Sequence, residues 1–366
     1  MMKNTSLYAA CAGLIAAALL LSGCPGKKPA LVSQFAAADR IGEAPLTLTF
    51  GDLRDEAGGD SPVIDTWLWD FGDGATSTEA EPVHTYTTPD NYTVTLTTTS
   101  GRQTSTTVIE NYVHVLDPDR IVGTEPGEEA VFAGITFVWI PPGQFLMGAD
   151  DPGTANNWYD AVPAHTVTLS RGFWMSKYEL TQADFVAMFG LNDSFFRLPL
   201  EPSSTLPAES ISWRTAQAIT DHLNANFSDG LFRLPTEAEW EYACRAGTDT
   251  DFYFGDDPHA EGGIQDHGWT NANAGGVTHL TGELLANAWG LYDMHGNVWE
   301  WTLDRYSPTY YEESPDTDPL GPDFGVYRVA RGGSWYHQPY TAASPSRLPF
   351  LVNAPYNSVG VRLVMQ

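Results

Sequence analysis

Gly290-Leu291-Tyr292-Asp293-Met294-His295-Gly296-Asn297-Val298-Trp299-Glu300-Trp301 is followed further along the chain by Arg331-Gly332-Gly333-Ser334-Trp335, and near the C-terminus by Gly360-Val361-Arg362. These runs are rich in Gly and Trp and carry no sustained helical period, and the same holds for most of the stretch from Val131 to Gln366. A chain of this kind is held by loops and short strands more than by a helix bundle. The 25 Pro and 34 Gly of the whole sequence point the same way.

Helices are nonetheless predicted at three places. Thr181-Gln182-Ala183-Asp184 caps Phe185-Val186-Ala187-Met188-Phe189, and Gly190 stops it. A second helix runs from about Trp213 to Asn226 after Ser212. In the third, Leu234-Pro235-Thr236-Glu237-Ala238-Glu239-Trp240-Glu241, Thr236 and Glu239 form a capping box and Gly247 occupies the terminating position. Glu237, Glu239 and Glu241 are read as capping and dipole residues of that helix.

Taken in order, these segments resemble the formylglycine-generating enzyme (sulfatase-modifying factor) family. The resemblance also takes in Phe137-Val138-Trp139-Ile140-Pro141-Pro142-Gly143-Gln144-Phe145, Met147-Gly148 and Tyr178-Glu179-Leu180-Thr181. It implies an α+β, loop-rich, C-type-lectin-like fold over residues 131–366. Active members of that family oxidise a substrate cysteine to formylglycine with two thiolates that bind copper shortly after the Gly-Gly-Ser motif. Thiolates suit that task because they are soft ligands for Cu(I). Here those positions fall on or next to His337 and Ala342, and the remaining Cys244 lies in the third helix. Copper is therefore not expected, and the balance leans away from an enzyme. The nine histidines are scattered without the spacing of a helical zinc motif.

The resemblance further implies a structural calcium ion held by Asp293 and Glu300 with the carbonyls of Gly296 and Val298, a hard-oxygen set of the kind Ca²⁺ takes. The family's second calcium loop is shortened here around Asn271 to Gly276, and is not carried over. The stretch after Ser334 mixes aromatic, small and apolar residues without period, as recognition surfaces do. Trp335, Tyr336, His337, Tyr340, Phe350, Asn353 and Tyr356 are its candidate ligand-binding residues. It also resembles the variable region of retroelement-diversified lectin-fold proteins.

Upstream, residues 31–117 read as all-β. Tyr92, Val94 and Leu96 alternate with Thr93, Thr95 and Thr97, and Trp67-Leu68-Trp69-Asp70-Phe71-Gly72-Asp73-Gly74 runs a strand into a turn. With Pro82-Val83-His84-Thr85-Tyr86 between them, these runs resemble the PKD domain, an immunoglobulin-like β-sandwich used as a spacer. Asp70 and Asp73 are read as acceptors for the turn backbone rather than as a cation site. Residues 118–130 read as a linker.

The N-terminus reads as an export leader, with Lys3 ahead of an apolar run from Leu7 to Leu21 that is shorter than the roughly 20 residues of a bilayer span. Leu21-Ser22-Gly23-Cys24 resembles the bacterial lipobox, which implies a signal peptide over 1–23, lipid on Cys24 and a tether over 24–30. Its multiple acyl chains would anchor the protein stably to a bacterial envelope membrane. The formal charge is −28, from 18 Lys+Arg against 46 Asp+Glu, and a field of that sign repels phosphate backbones, so no nucleic-acid partner is expected. The expected function is a lipid-anchored binding module for an unnamed protein or carbohydrate on a PKD spacer. The alternatives are a family enzyme of different chemistry, or a structural envelope lipoprotein or diversified variable protein.

Overall fold

Trp69 organises the first module, and the computed structural model describes it within residues 31–37, 40–52, 63–119, 121–149, 160–197, 205–227 and 230–366. The leader, Cys24 and the tether lie outside those residues. One sheet pairs Phe35–Ala37 and Val83–Tyr86 on either side of Leu46–Asp52. The other orders Ile41–Glu43, Gln103–Leu116, Asp90–Ser100, Thr66–Asp70 and Thr76–Ser77. Trp69, Phe35, Phe50, Phe71, Tyr86 and Val94 share one apolar core between the sheets. The alternation read along Tyr92 to Thr97 is observed, with Tyr92, Val94 and Leu96 buried. Asp70 Oδ1 accepts from Gly72 N and Asp73 Oδ1 from Ala75 N, each at 2.9 Å, so both acids serve the turn as expected.

The segment read as a linker is only partly one. Ile121 O accepts from Trp174 Nε1 at 2.9 Å, and Gly127 N donates to Trp139 O at 3.0 Å. A strand, Glu129–Phe132, then joins the C-terminal sheet two residues before the expected boundary. That sheet orders Phe232–Arg233, Val364–Met365, Phe173–Ser176, Ile135–Ile140 and Glu129–Phe132, so the last strand of the chain sits inside it. A second sheet orders Arg347–Leu351, Tyr327–Arg331, Trp299–Arg305 and Val359–Gly360. A hairpin of Gly143–Met147 and His165–Leu169 stands beside them. No helix among the described residues is long and apolar enough to cross a membrane.

The three predicted helices form where their caps place them. α1 spans Gln182–Phe189 with the Thr181–Asp184 capping box and Gly190 left-handed at its end. α2 spans Trp213–Asn226, with Ser212 Oγ accepting from Thr215 N. α3 spans Glu237–Arg245 with the Thr236–Glu239 box. Its end differs slightly, because Ala246 already takes a left-handed φ of 46° ahead of Gly247.

The acids of α3 do more than cap. Glu239 completes the box and also accepts two bonds from Arg233, at 2.6 and 2.7 Å. Glu237 takes a two-pronged contact from Arg347, at 2.7 and 2.8 Å. Glu241 accepts from Arg245, from Gly148 N and from Arg331 Nη2. All these side chains are buried. Burial alone would raise the Glu241 carboxyl, yet Arg245 and Arg331 hold it below the ordinary range. Glu237, in the first turn of the helix, and Glu241 are therefore counter-ions of distant arginines as well. Arg331 also donates to Ser344 O and Ser346 O, at 3.0 and 2.9 Å, and so fixes the loop that follows the Gly-Gly-Ser motif.

Candidate functional site

Between Arg331 and Ser344 the chain leaves the second sheet through two glycines. Gly332 and Gly333 have φ of 100° and 81°, and a side chain on Gly333 would place its Cβ 2.6 Å from that of Ala342. Only glycine permits so close a return. The loop then spreads Trp335, Tyr336, His337, Gln338 and Thr341 along an open groove of about 740 Å³, with Asn271 and Gly276 on the opposite wall. Asn271 N donates to His337 O at 2.9 Å, which ties the two walls together.

His337 is set by its neighbours. Trp299 Nε1, a donor only, gives its proton to His337 Nδ1 at 3.1 Å, so the neutral ring carries its own proton on Nε2. Burial lowers the His337 pKa, which favours that neutral form. Trp335 Nε1 donates to Asn357 O at 3.0 Å, and its ring meets Phe196 edge-on at 5.0 Å. Tyr336 is 65% exposed, the most solvent-facing aromatic of the groove. The wall is therefore the fixed Trp335 and His337 rings, the exposed Tyr336 ring set edge-on to both, and a set of amide and hydroxyl groups.

The seven candidate binding residues do not all meet. Trp335, Tyr336 and His337 line the groove, and Tyr340 lies outside its lining with its ring 5.4 Å from that of His259. Phe350 and Tyr356 meet edge-on at 4.9 Å, and Phe350 packs against Trp299 and Trp301. Both are half-buried at the margin of the apolar core, Phe350 on the strand Arg347–Leu351 and Tyr356 beyond it. Asn353 Oδ1 accepts from Arg214 Nε at 2.7 Å, and Arg214 in turn binds Glu110 of the first module. Asn271, Gly276, Gln338 and Thr341 enter in their place. Gln338 and Thr341 lie within the stretch after Ser334, whereas nothing local in the sequence ties Asn271 to it.

The expected calcium positions divide. Asp293 Oδ2 accepts from Gly282 N at 2.7 Å, while Oδ1 is buried with no hydrogen-bond partner among the described residues. Burial pushes the Asp293 carboxyl up to about 6. That unsatisfied oxygen fits a hard cation. Glu300 does not fit the same role. Both its oxygens accept from Arg362, at 2.8 to 3.0 Å, and Oε2 also accepts from Trp240 Nε1 at 2.6 Å. It is the counter-ion of a buried guanidinium, and Glu179 stands nearer the loop instead, accepting from Val298 N at 3.0 Å and from Asn297 Nδ2 at 2.7 Å. Gly296, at φ 122°, packs so tightly that a Cβ would lie 2.3 Å from Trp269 O. Among the described residues no group of three or more His, Cys, Asp or Glu is placed to hold a metal ion.

Cys244 is fully buried, and burial pushes its thiol up to about 12. His295 beside it is held neutral, with its pKa lowered to about 3 by burial. Its Nδ1 bonds Ala342 O at 2.6 Å, so thiol and ring are packed groups rather than a reactive pair.

Comparison with known proteins agrees with this architecture. Residues 123–366 match the sulfatase-modifying factor enzyme 1-like domain and residues 33–115 match the PKD domain. The chain belongs to the sulfatase-modifying factor family, with a PKD domain ahead of the family domain. A formylglycine-generating enzyme of Streptomyces coelicolor is 40% identical over 246 residues, covering 54% of this chain and 78% of that one. The mouse formylglycine-generating enzyme is 30% identical over 251 residues, covering 55% of this chain and 66% of its own length. Among solved structures, Treponema denticola variable protein 1 superposes with a TM-score of 0.56 at 26% identity, over 65% of this chain and 98% of that one. PvdO from Pseudomonas aeruginosa does so with a TM-score of 0.59 at 26% identity, over 67% of this chain and all of that one. The family domain thus has the C-type-lectin-like fold of these neighbours.

Proposed function

We propose that the protein is an exported, lipid-anchored recognition protein whose family domain binds a protein segment or carbohydrate and does not carry out the family's oxidation. One observation carries the reading: His337 lines the groove beside Tyr336 with its Nδ1 already engaged by Trp299, and the positions the resemblance gives to thiolates fall on or next to His337 and the buried Ala342. An exposed aromatic beside fixed rings and short polar groups suits sugar faces and peptide side chains alike. The likeness to a protein described as a variable protein supports the same reading. An enzyme of different chemistry has a single contact behind it, Ser334 Oγ at 2.8 Å from His337 Nδ1. Ser334 is fully buried, so that hydroxyl has no substrate-facing side.

The test is to incubate the protein with copper, oxygen and a Cys-x-Pro-x-Arg peptide. We expect the peptide mass to stay unchanged, and any formylglycine product overturns the reading. Anchoring is tested separately: Cys24→Ala should leave an unprocessed precursor, and normal processing of that variant would refute lipidation. Calcium enters the proposal through Asp293 alone. A native-state ligand at 100 times its Kd adds about 2.7 kcal/mol, and a domain of this size shifts by roughly 2–4 °C per kcal/mol. Calcium added after EDTA should raise the wild-type Tm by several degrees and leave Asp293→Asn unmoved. Equal shifts in both would place the ion elsewhere.

A further inference from the structure

Where the PKD domain meets the family domain, a strongly acidic chain gathers arginines. Arg305 and Arg328 are direct partners across the adjacent strands Trp299–Arg305 and Tyr327–Arg331. Arg40 approaches them from the first module, with its guanidinium 4.6 Å above the Tyr112 ring. Like charges placed opposite each other on neighbouring strands repel, so the arrangement calls for a counter-charge.

Among the described residues one acid, Asp323, faces both Arg40 and Arg305, and no ion pair is made by Arg328. Arg40 Nη2 lies 3.7 Å from Asp323, which also accepts from Tyr112 Oη at 3.4 Å. Arg305 Nη1 donates to Gly325 O at 2.7 Å, and Arg328 Nη1 donates to Leu303 O. These carbonyls are neutral. Arg328 is 9% exposed and stacks 3.9 Å above Trp213, and its Nε has no hydrogen-bond partner among the described residues. Of the other acids nearby, Glu110 is taken by Arg214 at 2.8 Å, and Asp304 Oδ2 accepts from Glu237 N at 2.7 Å. Burial and the neighbouring Glu237 push Asp304 up to about 7, which weakens it further as a counter-ion. Burial, then mutual repulsion with Arg305 and Arg40, lowers the Arg328 pKa, as expected for a guanidinium short of negative charge.

Space adjoins the charge. The three guanidiniums line a hollow of about 30 Å³, room for one water-sized group. A second hollow of about 190 Å³ shares Arg305, Arg328 and Trp213 with it and adds Arg214. Planar guanidinium forks pair best with oxyanions, which accept two parallel bonds.

We propose that this seam binds a small oxyanion, a phosphate, sulfate or carboxylate group, with one oxygen in the hollow lined by Arg40 of one module and Arg305 and Arg328 of the other and the rest of the group in the larger hollow beside it. Bound there, it offsets the repulsion across the strands and couples the two modules. The chain as a whole, at −28, disfavours anions generally, so any oxyanion preference is local to the seam.

The experiment is thermal unfolding of the full mature chain at fixed ionic strength, with low-millimolar inorganic phosphate, sulfate or acetate replacing chloride. Such concentrations lie below those at which these salts stabilise proteins through exclusion from the surface. At least one oxyanion should raise Tm by several degrees over chloride, and the three arms tell phosphate, sulfate and carboxylate chemistry apart. The increment should vanish in Arg328→Gln and in Arg40→Gln, and persist in Arg102→Gln on an exposed hairpin turn. Should Arg328→Gln fail to fold, Arg40→Gln decides. Equal Tm in every salt overturns the proposal, as does an increment that survives in Arg40→Gln.

Discussion

Taking a carboxylate and a guanidinium out of water costs several kcal/mol per ion, and only close, hydrogen-bonded pairing offsets it. The C-terminal module depends on several such pairs around one nine-residue helix. Glu237 and Glu241 draw in Arg347 and Arg331 from segments far along the chain, Glu239 holds Arg233 just ahead of the helix, and Arg362 reaches Glu300 from near the C-terminus. Removing one partner of a buried pair costs about 3–5 kcal/mol, so each pair excludes arrangements in which its segments lie elsewhere. A fold with few helices and many loops thereby acquires a fixed interior.

The groove inherits its shape from that interior. Arg331 holds Glu241 with one nitrogen and the carbonyls of Ser344 and Ser346 with another. Both ends of the loop bearing Trp335 to Thr341 are therefore tied to one buried guanidinium, while Gly332 and Gly333 let the chain turn sharply away. Trp299, next to Glu300, reaches up to His337 from below. The framework thereby presents an aromatic, polar groove.

Much of this was legible in the sequence because it was local. Thr181 with Asp184 and Thr236 with Glu239 satisfy backbone donors three residues away, so their spacing announces the helices. The alternation from Tyr92 to Thr97 is likewise a two-residue rule read directly as a strand. Pairing of α3 with Arg347 was not legible, because a Glu at a helix start serves capping equally well and its partner lies 110 positions on. The groove was half legible. Trp335 to His337 are consecutive and share a loop, but Phe350 and Tyr356 lie at the margin of the core, and unpatterned aromatics reveal nothing about which face they take. The claim of Arg362 on Glu300 was not legible either, because it depends on a segment 62 positions further along the chain.

The central claim is that the guanidinium of Arg331 holds the groove loop in place. Amide hydrogen exchange across residues 334–346, in the wild type and in Arg331→Lys, tests it most directly. Lysine keeps the charge and loses the planar fork that reaches Glu241 and two carbonyls together. The account predicts faster exchange in that loop, with the first module's strands unchanged. Equal protection of residues 334–346 in the two proteins would contradict it.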